Sequence, residues 1–294
     1  MILKVRAAIF LSILLSLEIG HISGQSVKDT MVVDYKVIDK TIHEKINEYS
    51  ASKVLIVMDI DNTILTSDAD LGSDIWYQWQ RGELDIKPTS EQKLSDACLF
   101  NEAIGLLYDL GTMTLTDSLL PRYIHEWQTD GVTLFALTSR SPNYRAATER
   151  ELNRNNVDLS VSELNTIDGN KLFFNYTMNR SLSYYNGIFM TSGMNKGEML
   201  AYIIGRSGRQ FKAIIFIDDT RKNIDAVKSR YSGCNTYDII LFQYNKIISE
   251  RLMHNDNVIL TRAQADQMAK DWDILVNTLN TIFPERADKS DCSK

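Results

Sequence analysis

Short runs of consecutive apolar residues recur along this chain, each followed by a polar cluster and then by a helical pattern. The first is Val54-Leu55-Ile56-Val57-Met58. Successive side chains of a strand point to opposite faces, so an unbroken apolar run suits a strand covered on both sides, as in the middle of a parallel sheet. The pattern returns at Val132 to Leu137, Gly187 to Thr191, Phe211 to Ile217 and Ile239 to Phe242. Helical stretches separate these runs: Asp117 to Thr129, Pro142 to Arg154, Lys196 to Ile204 and Arg221 to Arg230. The second of them opens on Ser141-Pro142, a cap followed by proline in the first turn. Strands alternating with helices predict an α/β core, a doubly wound parallel sheet with helices on both faces.

Around the core, at 54–260, the pattern changes. Val33, Val37, Ile38, Ile42 and Ile46 recur at helical spacing, so 25–53 reads as an N-terminal helical flank. The segment 66–116 is polar and aromatic, with Trp76-Tyr77-Gln78-Trp79 and a helical run from Asn101 to Leu110. It reads as a small, mainly helical cap inserted at the open end of the sheet. A minor insertion is expected at 158–186. From 261 to 294 the chain reads as a helix and tail, with Gln264 completing a capping box and Pro284 just past the helix end.

The N-terminus resembles an export signal. Lys4 and Arg6 precede an apolar run from Ala7 to Ile19, and Ile22-Ser23-Gly24 is a small-residue exit. The run is about 13 residues, against the roughly 20 that span a bilayer, so cleavage is expected rather than anchoring. Removing 1–24 takes away Lys4, Arg6 and Glu18, a net +1, and moves the formal charge from −6 to −7. A chain this acidic, without basic runs, is a poor nucleic-acid binder. It would also repel phosphorylated substrates unless local positive charge compensates. After cleavage no later stretch is apolar enough to hold a membrane, and the expected location is periplasmic or secreted. Of three cysteines, Cys98, Cys234 and Cys292, one pair could bridge, but inert buried thiols are the expectation for Cys98 and Cys234.

Ligands of such sheets bind at the carboxyl ends of the strands, and reactive residues sit at four of these ends. Asp59-Ile60-Asp61-Asn62-Thr63 follows the first run; alone, it could be a turn in which the aspartates cap a helix. Thr138-Ser139-Arg140 ends the second, where hydroxyls and N–H groups before a helix could receive phosphate oxygens or simply cap it. Gly193-Met194-Asn195-Lys196-Gly197 follows the third; a lysine there would supply positive charge among acids, though a lone lysine is more often a surface group. Asp218-Asp219 ends the fourth, with Asn223 beyond it. Adjacent acids after a buried strand are costly unless a cation relieves them. Each element is modest; the ordered set is strong.

In these four motifs the chain resembles the haloacid-dehalogenase-like superfamily of phosphohydrolases, from about Val54 to Phe242. It also resembles, more narrowly, an exported bacterial family known as a domain of unknown function. The resemblance implies Asp59 as nucleophile and Asp61 as general acid and base, the latter favouring phosphate esters over haloacids. It further implies Mg²⁺ held by Asp59, the Asp61 carbonyl, Asp218 and waters, with Asp219 bound directly or one contact removed and Asn223 steadying the network. Thr138 and Lys196 would hold the phosphoryl group, with Ser139 and Arg140 beside it; Arg140 could instead pair with a surface acid. Asp68, Asp70, Trp76, Tyr77, Trp79 and Arg81 are expected near the entrance, the tryptophans more as packing of the cap than as stacking surfaces. His43, His125 and His254 receive no catalytic task, and chance explains the Asn175-Tyr176-Thr177 and Asn179-Arg180-Ser181 sequons. The expected partner is a small phosphorylated substrate. A secreted, non-enzymatic interaction protein on the same scaffold is the competing reading, and transfer to an acceptor other than water a third. Oligomeric state is left open.

Overall fold

The computed structural model describes residues 27–292, so the expected export signal lies outside the described residues. The strands are β1 (Val27–Val32), β2 (Val54–Met58), β3 (Leu65–Ser67), β4 (Met113–Leu115), β5 (Thr133–Thr138), β6 (Phe174–Thr177), β7 (Ser181–Tyr185), β8 (Ile188–Met190), β9 (Ala213–Asp218) and β10 (Asp238–Tyr244). The principal helices are α1 (Tyr35–Tyr49), α2 (Asp74–Gln80), α3 (Ile104–Leu110), α4 (Leu120–Thr129), α5 (Arg145–Arg154), α6 (Lys196–Ser207), α7 (Arg221–Tyr231), α8 (Lys246–His254) and α9 (Arg262–Ile282).

Eight strands form one sheet in the order β1-β10-β9-β2-β5-β8-β7-β6, and all but the β6–β7–β8 pairings are parallel. Every residue of β2 is buried. Val54, Ile56 and Met58 enter the apolar cluster on one face, Leu55 and Val57 that on the other. This two-sided burial is why the run carries no polar alternation. The doubly wound α/β reading therefore stands.

Register fixes the functional rim. Met58 lies opposite Ala136 on β5 and Ile217 on β9, and Thr138 opposite Met190 on β8. The residues after β2, β5, β8 and β9 therefore emerge along one edge. After β2 the chain goes to one side through β5 and β8, then crosses to β9 and β10 on the other. The crevice over β2 is thus a topological switch point, where open α/β sheets bind ligands.

Several expectations are corrected. The flank at 25–53 is not wholly helical, because β1 pairs in parallel with β10 and forms the sheet edge. The segment 158–186 supplies β6 and β7, an antiparallel hairpin that widens the sheet. The capping box at Thr261 and Gln264 forms, but α9 does not stand apart as a tail helix. Ala265, Met268 and Trp272 of α9 share a separate apolar cluster with Ile75, Trp76, Trp79 and Leu99 of the cap. Cys98 is no inert thiol: it is bridged to Cys292 across a sequence separation of 194, leaving Cys234 free. The cap is therefore built from two distant parts of the chain.

Candidate active site

The Asp59 N–H donates to Ile217 O at 2.8 Å, carrying the β2–β9 ladder one residue past the strand. The chain then curls around the Ile60 carbonyl, which accepts from the N–H groups of Thr63, Ile64 and Leu65 at 3.3, 2.9 and 2.9 Å. Asn62 takes φ +54°, a left-handed conformation that asparagine tolerates better than most residues. Ile60 and Ile64 are fully buried and anchor the curl. Backbone geometry thus sends Asp59 and Asp61 to different places.

Asp59 joins Lys196, Asp218 and Asp219. Lys196 Nζ lies 2.7 Å from Asp59 Oδ1 and 2.6 Å from Asp218 Oδ2. The ammonium reaches this position because α6 starts close against α7. A Cβ on Gly197 would stand 2.4 Å from the Ala226 carbonyl oxygen, so only glycine allows that approach. The Asn195 side chain caps the same helix by accepting from Glu198 N. Asp218 accepts from Thr220 N at 2.9 Å and from Asn223 Nδ2 at 2.9 and 3.1 Å. Asp219 accepts from Thr220 Oγ1 at 3.0 Å and from Asn62 Nδ2 at 3.3 Å.

The three acids Asp59, Asp218 and Asp219 present oxygens within 4.8 Å of one another. Burial raises the Asp59 carboxyl to about 7; Lys196 opposes the rise, while the charges of Asp218 and Asp61 add to it. Burial, followed by the same kind of repulsion from Asp218 and Asp59, holds Asp219 well above the usual carboxylate range. Burial alone would pull Lys196 down, but Asp218 and Asp59 outweigh it and the net shift is upward. One ammonium among three acids leaves negative charge uncompensated, and the donor set is hard oxygen. Such a cluster could hold a divalent cation of the oxygen-preferring kind.

Asp61 faces the other way. Arg140 grips its carboxylate with two bonds, Nε to Oδ2 at 2.9 Å and Nη2 to Oδ1 at 2.7 Å. The guanidinium also donates to Thr148 Oγ1 and lies 4.4 Å from the centre of the Tyr108 ring. The partner acid of Arg140 is therefore one of the site's own, not a surface carboxylate. Thr138 is fully buried; its hydroxyl accepts from Arg140 N at 3.1 Å, and its carbonyl accepts from Thr191 Oγ1 at 2.9 Å.

A cavity of about 650 Å³ opens between this rim and the cap, touching Asp61, Asn62, Ser139, Arg140 and Gly193 on the core side. Asp59, Thr138, Lys196 and Asp218 are not among the residues that form its wall, although their chain neighbours Asp61, Ser139 and Arg140 are. Of the residues expected near the entrance, Trp76, Tyr77 and Arg81 line it. Trp76 and Trp79 are nonetheless packed in the cap core, and Asp70 is paired with Arg251 at 2.7 Å. Among the described residues no histidine lines the cavity. Sequence reasoning missed Asp74, Tyr108, Tyr144 and Arg180, which also line it. Burial and the nearby charge of Asp61 raise Asp74 to about 6, against the bond from Gln78. Their spacing carried no signal, because cap, core helix and hairpin contribute one or two residues each.

A family model described as "Protein of unknown function (DUF2608)" matches residues 34–285, a range that takes in the whole acid cluster and the cap. A Chlamydia pneumoniae protein, provisionally described as an outer membrane protein, is 23% identical over 207 residues. That alignment covers 69% of this chain and 73% of its relative.

Proposed function

The chain belongs to this DUF2608 family, and we propose that it is a magnesium-dependent phosphohydrolase of the haloacid-dehalogenase-like type. The observation that carries the reading is the convergence of Asp59, Lys196, Asp218 and Asp219 from three separate segments at one rim. Isolated buried acids would be destabilising; acids grouped around a lysine at a switch point suit an anionic substrate with a cation.

Asp59 attacks phosphorus, forming a carboxylate oxygen–phosphorus bond as the ester P–O bond breaks. Asp61 gives the departing alcohol oxygen its proton. It then takes a proton from water, whose oxygen attacks phosphorus and displaces Asp59 as a free carboxylate, releasing inorganic phosphate. Thr138, whose hydroxyl hydrogen is not spent on Arg140, and Lys196 donate to the phosphoryl oxygens as their charge grows. Ser139 and Arg140 sit where the ester portion would leave the rim. The bidentate Arg140 contact occupies both carboxylate oxygens of Asp61, so delivering a proton to the departing oxygen requires Asp61 to give up part of that contact. Turnover on this reading includes a swing of the Asp61 side chain.

Asp59, Asp218, the Asp61 carbonyl and Asp219 would hold the magnesium. Bound there, it would relieve repulsion among the acids and phosphate, keep Asp59 ionised near neutral pH and polarise the phosphoryl group. We also propose export to the periplasm or outside the cell. The signal-like segment at 1–24, the description of the Chlamydia relative and the disulfide support that location. Among the described residues no helix is long and apolar enough to cross a membrane.

The test is turnover of p-nitrophenyl phosphate with magnesium by wild type and Asp59→Asn. Loss of at least about 1,000-fold in kcat/KM, some 4 kcal/mol of transition-state stabilisation, is expected. An Asp59→Asn variant within tenfold of wild type would remove the nucleophile and the reading with it.

A further inference from the structure

We infer that the space beneath the cap selects phosphomonoesters whose alcohol portion carries an aromatic ring and a second anionic group, with Tyr77 receiving the ring and Arg180 the anion. The phosphate end of this inference rests on the phosphohydrolase reading. The ring and anion ends rest on the cavity alone.

Size is the first argument. At about 650 Å³ the cavity could hold on the order of 20 waters, far more than one phosphate group displaces. It falls within the ordinary range of small-molecule sites. An alcohol portion of some bulk therefore belongs there.

The walls give its chemistry. Tyr77, Phe100 and Tyr108 line the cavity from the cap, and Tyr144 from the core. Three of these rings are already engaged. Tyr108 carries Arg140 and lies 4.9 Å from Tyr144, while Arg81 sits 5.5 Å from the centre of Phe100. Tyr77 is half-buried and packs against the apolar cluster of the cap, but among the described residues no ring or cation stacks on it. A planar ring laid along it would gain aromatic contact that no other ring of the protein supplies.

Charge gives the third feature. Arg180 stands at the turn between β6 and β7, where Met178 N donates to Arg180 O. Its Nη1 donates to Ser192 O at 2.9 Å, and among the described residues no carboxylate pairs with it. Arg140 and Arg81, by contrast, are paired with Asp61 and Asp96. The acids Glu151 and Asp74 of the same cavity are also engaged, Glu151 by Arg150 and Arg154 and Asp74 by Gln78. A guanidinium has five N–H donors in a fork that matches carboxylate or phosphate. In a chain of formal charge −6, the cavity keeps this cation unspent. Gly193 makes room for it: a Cβ there would lie 3.1 Å from Arg180 Nη1.

Calorimetry on full-length Asp59→Asn protein, with magnesium, tests the inference without turnover. The probes are glycerol 2-phosphate, phenyl phosphate and 4-carboxyphenyl phosphate. Phenyl phosphate is expected to bind at least tenfold tighter than glycerol 2-phosphate, and the carboxylated probe a further five- to tenfold tighter. Adding Tyr77→Ala should erase most of the first step. Adding Arg180→Ala should shrink the second below threefold, and Arg180→Lys should restore part of it. Equal affinity for the three probes, no binding at millimolar concentration, or a carboxylate advantage that survives Arg180→Ala overturns the inference. Wild-type turnover of p-nitrophenyl phosphate is read separately. Selective binding without turnover would sink the hydrolase reading alone, and turnover without selectivity would sink the pocket assignment alone.

Discussion

Replacing Cys292 by serine removes the bridge to Cys98 and tests how the cap is held. The two cysteines are 194 residues apart, so the bridge closes a loop that takes in β4 through β10. Loop-closure entropy for that length corresponds to about 5 kcal/mol of stabilisation, acting through the unfolded chain. The folded geometry has other supports. Glu102 of the cap accepts from Arg286 Nη2 at 2.7 Å and from Ser290 Oγ at 2.7 Å, and Asn101 Nδ2 donates to Asp291 at 2.7 Å. Trp76 and Trp272 also meet in the cap cluster, their rings 6.4 Å apart. Native packing should therefore survive, and most of the effect should fall on the unfolded state. Urea unfolding of Cys292→Ser is expected to show a loss of about 3–5 kcal/mol, with a steeper m because the unlinked chain exposes more surface. Wild type treated with reductant should behave alike. Thiol titration of unfolded, unreduced wild type should find one free cysteine, Cys234. Three free thiols in that assay, or matching urea midpoints for the two proteins, would refute the pairing and the account of the cap built on it.

Chelation should stop turnover of p-nitrophenyl phosphate and magnesium should restore it; activity that persists under chelator would contradict the roles given to Asp218 and Asp219. Lys196→Met strips the cation from between Asp59 and Asp218, leaving buried carboxylates unpaired, and should cost about 3–5 kcal/mol at pH 8. Folding of that variant would take up protons, so the deficit should shrink at pH 6, and a variant as stable as wild type at pH 8 would remove the buried ion pairs. In metal-free wild type, Asp59 and Asp74 have pKa values raised from 3.8 to about 7 and about 6. Folded protein then holds protons that unfolded protein releases. The stability these groups contribute is full below about pH 4 and is lost as pH rises through 6 and 7. Scans of Tm against pH in chelator should show that decline, and magnesium should lessen it; an unchanged slope with the metal would count against a cation at the three acids.

The chain's own sequence determined the central sheet and the positions of the rim acids. Burial on both faces writes itself locally, as five near-continuous apolar runs, and the polar residues that follow must then lie at strand ends. Val54–Met58 became β2 without adjustment, and Lys196 and Arg221 open the helices expected of them. Local chemistry likewise fixed the capping box at Thr261. Tertiary structure decided what depends on partners remote in the chain. The strand β1 is half exposed and carries no unbroken apolar run, and only β10 makes it a strand. That Asp61 turns to Arg140 while Asp59 turns to Lys196 depends on a backbone curl and, for the first pair, on an arginine 79 positions further along the chain. That Cys98 finds Cys292, and that α9 completes the cap, reflects apolar surface left over once the main core is closed. Periodicity records which face of a segment is buried; it holds no record of which distant segment does the burying, because hydrophobic contact is non-directional and the choice is made only by the packing of the whole chain.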